Sequence, residues 1–274
     1  MVTRVTLSEA ADQLGVHYMT AYRYVRSGRL PAELRKARWT VSVFDLRSFA
    51  TTSFTATRGR TTITRRHGLH NRMVKGDEVG AWGVIEEALS SGSAPPYINS
   101  ELLIPCLRII GDEWEAGSRS IAEEHRASEI SGHLIGRLGP CMARRGPKCG
   151  TVVLGMVPEE QHGLGAAVLS DLLRRAGFEP INTGPNTPSA SCVEMAKGAD
   201  RLLAVMVGAT MTRSDAALRE EVTALKRAAL PVPTFVGGRA VRDEEHAKSL
   251  GADGWYGHHA EDALARLRSL VAAR

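Results

Sequence analysis

In the stretch VPEEQHGLG, Val157 to Gly165, a carboxylate, a histidine and two glycines follow the apolar run TVVLGM and precede a segment that reads as a helix. Loops leaving the carboxyl ends of strands in an open α/β sheet form the mouth where ligands bind, so a histidine there faces a ligand. Glu160, His162 and Gly165 form E-x-H-x-x-G. An imidazole oriented by a carboxylate is a more basic and better-aimed metal ligand, and a glycine three residues on lets a bulky group pass close to the backbone. A second group is Trp114, Glu124 and His125 in DEWEAGSRSIAEEHRAS. A tryptophan on a bundle helix is ordinarily core, and Ser120 to Glu123 reads as a capping box, so the spacing alone assigns no chemistry. Cys106, Cys141, Cys149 and Cys192 form no C-x-x-C pair, which argues against a zinc site and a disulfide framework.

These residues need elements to hold them. From Gly150 onward, strand-like runs alternate with helical ones, which predicts five parallel strands in a doubly wound, Rossmann-like (flavodoxin-like) α/β domain over 148–274. Residues 74–147 carry helical periodicity broken near Ser91 to Pro96, at Gly117 and at Gly139-Pro140, which predicts a bundle of about four helices. Residues 55–73, within the Thr- and Arg-rich stretch that starts at Thr51, lack either apolar period and read as a basic linker.

The first 54 residues read as a helix from about Ser8 to Leu14, a turn at Gly15, a second helix ending at Gly28, and a short basic hairpin. Ala10, Ala11, Leu14, Val16, Ala21 and Val25 supply a small core, with Ser8 as N-cap. Through Lys75 there are 14 Lys and Arg against 4 Asp and Glu, whereas the remainder holds 21 against 26. A basic head on a more acidic body is the charge pattern of a nucleic-acid binder. The second helix enters a major groove in such an arrangement, with His17, Tyr18, Tyr22 and Arg23 near base edges and Arg26, Arg35, Lys36 and Arg38 mostly on phosphates. No stretch approaches the roughly 20 apolar residues of a membrane span and no signal peptide is evident, so no membrane partner and a cytoplasmic location are expected.

The first 50 residues resemble the winged helix of MerR and excisionase DNA-binding domains. Residues from about 74 to the end resemble the cobalamin-binding fold of methionine synthase, methylmalonyl-CoA mutase and corrinoid carriers. The resemblance implies that His162 is the lower ligand to the cobalt of cobalamin, with Glu160 in place of the family's usual Asp. It also implies that Thr210 and Thr212 stand at the next strand end, and that Gly237 and Gly238 admit the cofactor's nucleotide tail. Joined to the head, the Trp-x9-Glu-His spacing resembles light-responsive cobalamin repressors of the CarH/LitR type. That likeness implies that Trp114, Glu124 and His125 surround the upper group of adenosylcobalamin, although Glu115 stands where some relatives carry a histidine.

The expectation is therefore a non-enzymatic, light-sensing repressor that binds double-stranded operator DNA as a homo-oligomer, a dimer or tetramer. Two other readings stay open: a corrinoid-sensing MerR-like regulator without photochemistry, and a corrinoid carrier for methyl transfer.

Overall fold

The computed structural model describes all residues except 1–3, 15–17, 29, 36–37, 144–145, 258 and 274, and leaves the side chains of 35, 47 and 50–60 undescribed. The chain divides into two compact units, Met1–Arg65 and Arg66–Arg274.

In the first unit, strand β1 (Arg4–Thr6) leads directly into α1 (Leu7–Gln13), and α2 (Tyr18–Arg26) follows. Strands β2 (Glu33–Arg35) and β3 (Arg38–Ser42) form the expected hairpin, and β1 adds to it antiparallel, giving the order β1-β3-β2. The α1 cap is Thr6 and not Ser8. The Thr6 side chain accepts from the Glu9 N–H while Glu9 reaches back to the Thr6 N–H, a reciprocal box that satisfies two otherwise orphaned donors. Leu7, Ala10, Ala11, Leu14, Ala21, Leu30, Val41, Leu46 and Phe49 bury together, with Val25 packed at their edge. Val16 lies outside the described residues.

The expected linker is not a loop. Residues 43–75 form one helix, α3 (Val43–Lys75). Leu69, Met73 and Val74 near its end pack into the following bundle. His70 is buried and pairs through Nε2 with Glu113 at 3.1 Å.

In the second unit, the end of α3 joins α4 (Glu78–Ser90), a short turn α5 (Pro95–Tyr97), a π-helical stretch from Ile98 to Leu103, α6 (Ile104–Glu115) and α7 (Ile121–Met142). Leu69, Ile85, Leu102, Ile110, Leu134 and Leu138 are among the residues of one continuous core. The Ser120–Glu123 capping box is present at the start of α7. The helix runs through Gly139-Pro140 and ends two residues later, at Met142.

The α/β part runs β4 (Thr151–Met156), α8 (Leu164–Ala176), β5 (Glu179–Asn182), α9 (Ser189–Gly198), β6 (Leu202–Gly208), α10 (Asp215–Arg227), β7 (Thr234–Gly237), α11 (Glu244–Ser249), β8 (Gly254–Trp255) and α12 (Ala260–Ala272). The five strands are parallel in the order β5-β4-β6-β7-β8. β4 is buried along its whole length, as a central parallel strand covered on both faces must be. This is the flavodoxin-like order, whose ligand crevice opens where successive connections leave to opposite sides, here between β4 and β6.

Candidate functional site

Two loops meet at that crevice: 157–163 after β4 and 209–214 after β6. Val157 N–H bonds the Gly208 carbonyl at 3.4 Å. Glu159 adopts φ of 66°, an uncommon backbone for a residue with a Cβ, and its N–H donates to Asn186 Oδ1 at 2.7 Å. Asn186 N–H in turn bonds the Glu160 carbonyl at 2.8 Å. The loop after β5 thus clamps the loop after β4 and holds the next three residues in place.

Glu160 is the anchor, with a side chain fully withdrawn from solvent. Its Oε2 accepts from the backbone N–H groups of Thr210 at 2.5 Å and Met211 at 3.2 Å. Its Oε1 accepts from the His162 N–H at 3.0 Å and lies 2.5 Å from His162 Nδ1. Burial raises the Glu160 pKa, but the bonds from His162, Thr210 and Met211 more than reverse that and bring it to about 2. The bond from Glu160 pushes His162 upward against its own partial burial, and Glu124 and Arg239 are close enough for the ring to feel their charges.

A carboxylate accepts only, so the proton of a neutral His162 sits on Nδ1 and leaves the Nε2 lone pair free to bind a metal. The ring remains 46% exposed, enough to meet a ligand. A Cβ built on Gly165 meets nothing within 4 Å, so the space beside it is open. A donor set of one oriented imidazole beside an open glycine fits a metal that arrives inside its own macrocycle and needs only one further ligand.

The two threonines stand in the loop at the end of β6. Thr210 reaches Glu160 through its backbone N–H, and Thr212 lies in the same loop. Gly237 ends β7 and Gly238 follows it, but the space over Gly237 holds the Tyr256 ring, 2.4 Å from a Cβ built there. Gly238 has φ of +88° and a Cβ built on it falls 2.4 Å from the Ala209 carbonyl oxygen, next to Thr210. Gly238→Ala should destabilise the second unit by about 3 kcal/mol, since it combines left-handed strain with a backbone clash, and should weaken the Glu160 anchor with it. Urea unfolding checks this; a loss below about 1 kcal/mol would mean that the turn relaxes freely.

Trp114 stands in the last turn of α6, about one-third exposed, whereas Glu124 and His125 stand near the start of α7. Glu124 accepts from Ser128 Oγ at 2.7 Å and lies 3.7 Å from His125, whose side chain is 70% exposed. Among the described residues no hydrogen bond or ion pair joins Trp114 to either. Glu115 pairs with Arg239 at 3.0 Å, tying the end of α6 to the loop after β7. That contact, carried by residues far apart in the chain, was not foreseen.

In the head, Tyr18 and Tyr22 stack at 6.4 Å between ring centroids, while Arg23, Arg26 and Arg38 are exposed. Arg35 is in β2; His17 and Lys36 lie outside the described residues.

The comparisons with known proteins follow this division. Residues 5–53 match a helix-turn-helix domain, and 65–138 and 150–268 match two B12 binding domains. The dimethylamine corrinoid protein of Methanosarcina barkeri is 34% identical over 194 residues, 69% of this chain and 83% of that protein. The chain belongs to the corrinoid protein family. Trimethylamine corrinoid protein 1 of Methanosarcina acetivorans is 29% identical over 201 residues, 71% of this chain and 91% of its own length. The solved monomethylamine corrinoid protein of M. barkeri shares the fold at a TM-score of 0.64 and 22% identity, covering 73% of this chain and 96% of that one.

This corrects the expectation of a light-sensing repressor, because the relatives found are methylamine corrinoid proteins. The CarH/LitR likeness leaned on a spacing that ordinary helix ends reproduce: a tryptophan in the last turn of α6, then acids in the first turn of a capped helix. Among the described residues no helix is long and apolar enough to cross a membrane.

Proposed function

We propose that this chain is a corrinoid protein that holds its cofactor through His162 and offers the opposite face of the cofactor to a methyl-transfer partner. The observation that carries the reading is the Glu160–His162 pair at the β4/β6 crevice, with Glu160 tied to the backbone of both loops. The names of the relatives support the methyl-carrier role. A bound corrinoid supplies a cobalt that takes up and releases a methyl group.

The chain's own residues bind and orient. His162 presents Nε2, Glu160 keeps the proton on Nδ1, and the fixed loops resist displacement of the ring. Gly165 leaves room beside the macrocycle, and Thr212, Gly237 and Gly238 border the crevice. Trp114, Glu124 and His125 stand on the bundle as candidates for the other face. As a carrier the chain binds and presents the group, and the partner performs the transfer.

A second reading is favoured by the helix-turn-helix match and the exposed arginines of α2 and β3: the corrinoid state controls binding to duplex DNA, without photochemistry. One experiment separates the two. The full chain, loaded with methylcobalamin or with adenosylcobalamin, is mixed in darkness with a thiol acceptor and a corrinoid methyltransferase, and separately with duplex DNA over a salt series. Enzyme-dependent loss of the methyl–cobalt absorbance supports the carrier. DNA affinity that changes about tenfold or more with loading, and whose salt slope flattens by about one contact in Arg38→Ala, supports the DNA-binding reading. Failure to take up corrinoid would reject both.

A further inference from the structure

Tyr256 follows the last strand, its N–H bonded to the Val236 carbonyl at 3.0 Å, and its ring lies back across the carboxyl ends of β6 and β7. It lies in a recess. Met156, Gly208 and Gly237 end β4, β6 and β7 and stand side by side in register, Met156 with Gly208 and Gly208 with Gly237. A Cβ on Gly208 would fall 2.9 Å from Met156 Sδ and 3.0 Å from Tyr256 Oη, and a Cβ on Gly237 would overlap the Tyr256 ring. Glycine weakens a strand and often marks a place where another group comes close to the backbone. Here that group is the chain's own phenol ring, which is only partly buried and whose Oη makes no hydrogen bond among the described residues. No polar partner fixes the ring there.

The recess adjoins the candidate site. Val157, next to Met156, opens the His162 loop, and Thr210, just beyond Gly208, donates to Glu160. The His162 loop leads into α8, whose Leu169 and Leu173 cover the same face of the sheet as Tyr256. A complete corrinoid carries an arm on its lower face that ends in a nucleotide, and the aromatic base of that nucleotide is itself a cobalt ligand. The base and a protein imidazole compete for one coordination position, so wherever His162 takes it the base is released on the protein's side of the ring. A flat aromatic group needs a flat slot floored by backbone. The recess over Gly208 and Gly237 is such a slot, and Tyr256 occupies it.

We propose that the Tyr256 ring is a plug, filling in the cofactor-free chain the recess that receives the nucleotide base, and that it must swing out before a corrinoid carrying that base can seat on His162. The proposal rests on the corrinoid reading above and adds a selection to it: a corrinoid without the nucleotide arm loads with Tyr256 in place. If the recess is open in about one chain in ten, the apparent affinity for the complete cofactor falls about tenfold from that cause alone.

The test follows, by absorbance, the loading of the full cofactor-free chain with aquacobalamin and with diaquacobinamide, which has the same ring and no nucleotide. Tyr256→Ala should speed and tighten cobalamin loading by about tenfold and leave cobinamide loading within about twofold, and Tyr256→Phe, which restores the ring, should restore the wild-type preference. Detaching the base from cobalt costs the same in every variant, so the comparison isolates the ring. Fluorine NMR of the chain labelled with fluorotyrosine stays decisive if Tyr256→Ala fails to fold. The Tyr256 resonance, assigned by its loss in Tyr256→Phe, should move when cobalamin loads and hold its place when cobinamide loads. A Tyr256→Ala chain that loads both corrinoids as the wild type does, or a Tyr256 resonance that responds equally to both, overturns the plug and leaves the corrinoid reading standing. Failure of both corrinoids to load the wild type overturns the corrinoid reading and the plug with it.

Discussion

His162→Ala is expected to leave the fold intact and to weaken corrinoid binding by on the order of 100-fold. The ring is about half exposed, so its removal leaves little cavity, and the backbone bonds that clamp the loop do not depend on it. Its contribution is to the ligand: losing a metal ligand costs at least as much as losing the residue that orients one, about 10- to 100-fold. The variant removes one donor to Glu160, whose bonds from the N–H groups of Thr210 and Met211 persist, so the thermal midpoint should shift by only a few degrees. Electron paramagnetic resonance of the reduced Co(II) form gives a direct reading. The wild type should show coupling to a histidine nitrogen, confirmed by isotope labelling, and the variant should not. Coupling that persists in His162→Ala would move the lower ligand elsewhere and remove the basis of the carrier reading.

How much of this was visible in the residues differs from element to element. The run TVVLGM and its loop were legible because a buried central strand leaves an uninterrupted apolar signature and the loop at its carboxyl end is where an α/β sheet binds ligands. The capping box of α7 was legible for the same reason: Ser and Glu three apart satisfy specific donors. Helix α3 was not, since Thr and Arg give it little apolar periodicity and its buried end is recognised only through Leu69 and Met73 meeting a bundle formed later in the chain. The grip on Glu160 was half hidden. A hydroxyl at Thr210 is written in the sequence, whereas the donors used are backbone N–H groups, which every residue but proline carries and no motif marks. The Tyr256 ring over Gly237 and the Glu115–Arg239 pair are products of tertiary packing over separations that a local pattern does not register.

Two substitutions at Glu160 should separate holding the loops together from orienting the histidine. Glu160→Ala removes a buried acceptor and leaves the N–H groups of Thr210 and Met211 without a partner, at an expected cost of about 3 kcal/mol in stability, together with 10- to 100-fold in corrinoid affinity. Glu160→Gln keeps an oxygen where those two N–H groups require one, so its amide NH2 must occupy the place of Oε1 and face His162. A donor opposite Nδ1 favours the tautomer with the proton on Nε2, and that nitrogen then has no lone pair to give. The same NH2 also opposes the His162 N–H, so some stability is lost, about 1 to 2 kcal/mol. Glu160→Gln should therefore match the alanine variant in lost cobalt–nitrogen coupling while retaining more of the stability. Urea unfolding of the cofactor-free chain and spectra of the loaded chain measure the two effects independently. Glu160→Gln binding corrinoid with unaltered histidine coupling would show that the ring finds its orientation without the carboxylate, and that Glu160 serves only to join the two loops.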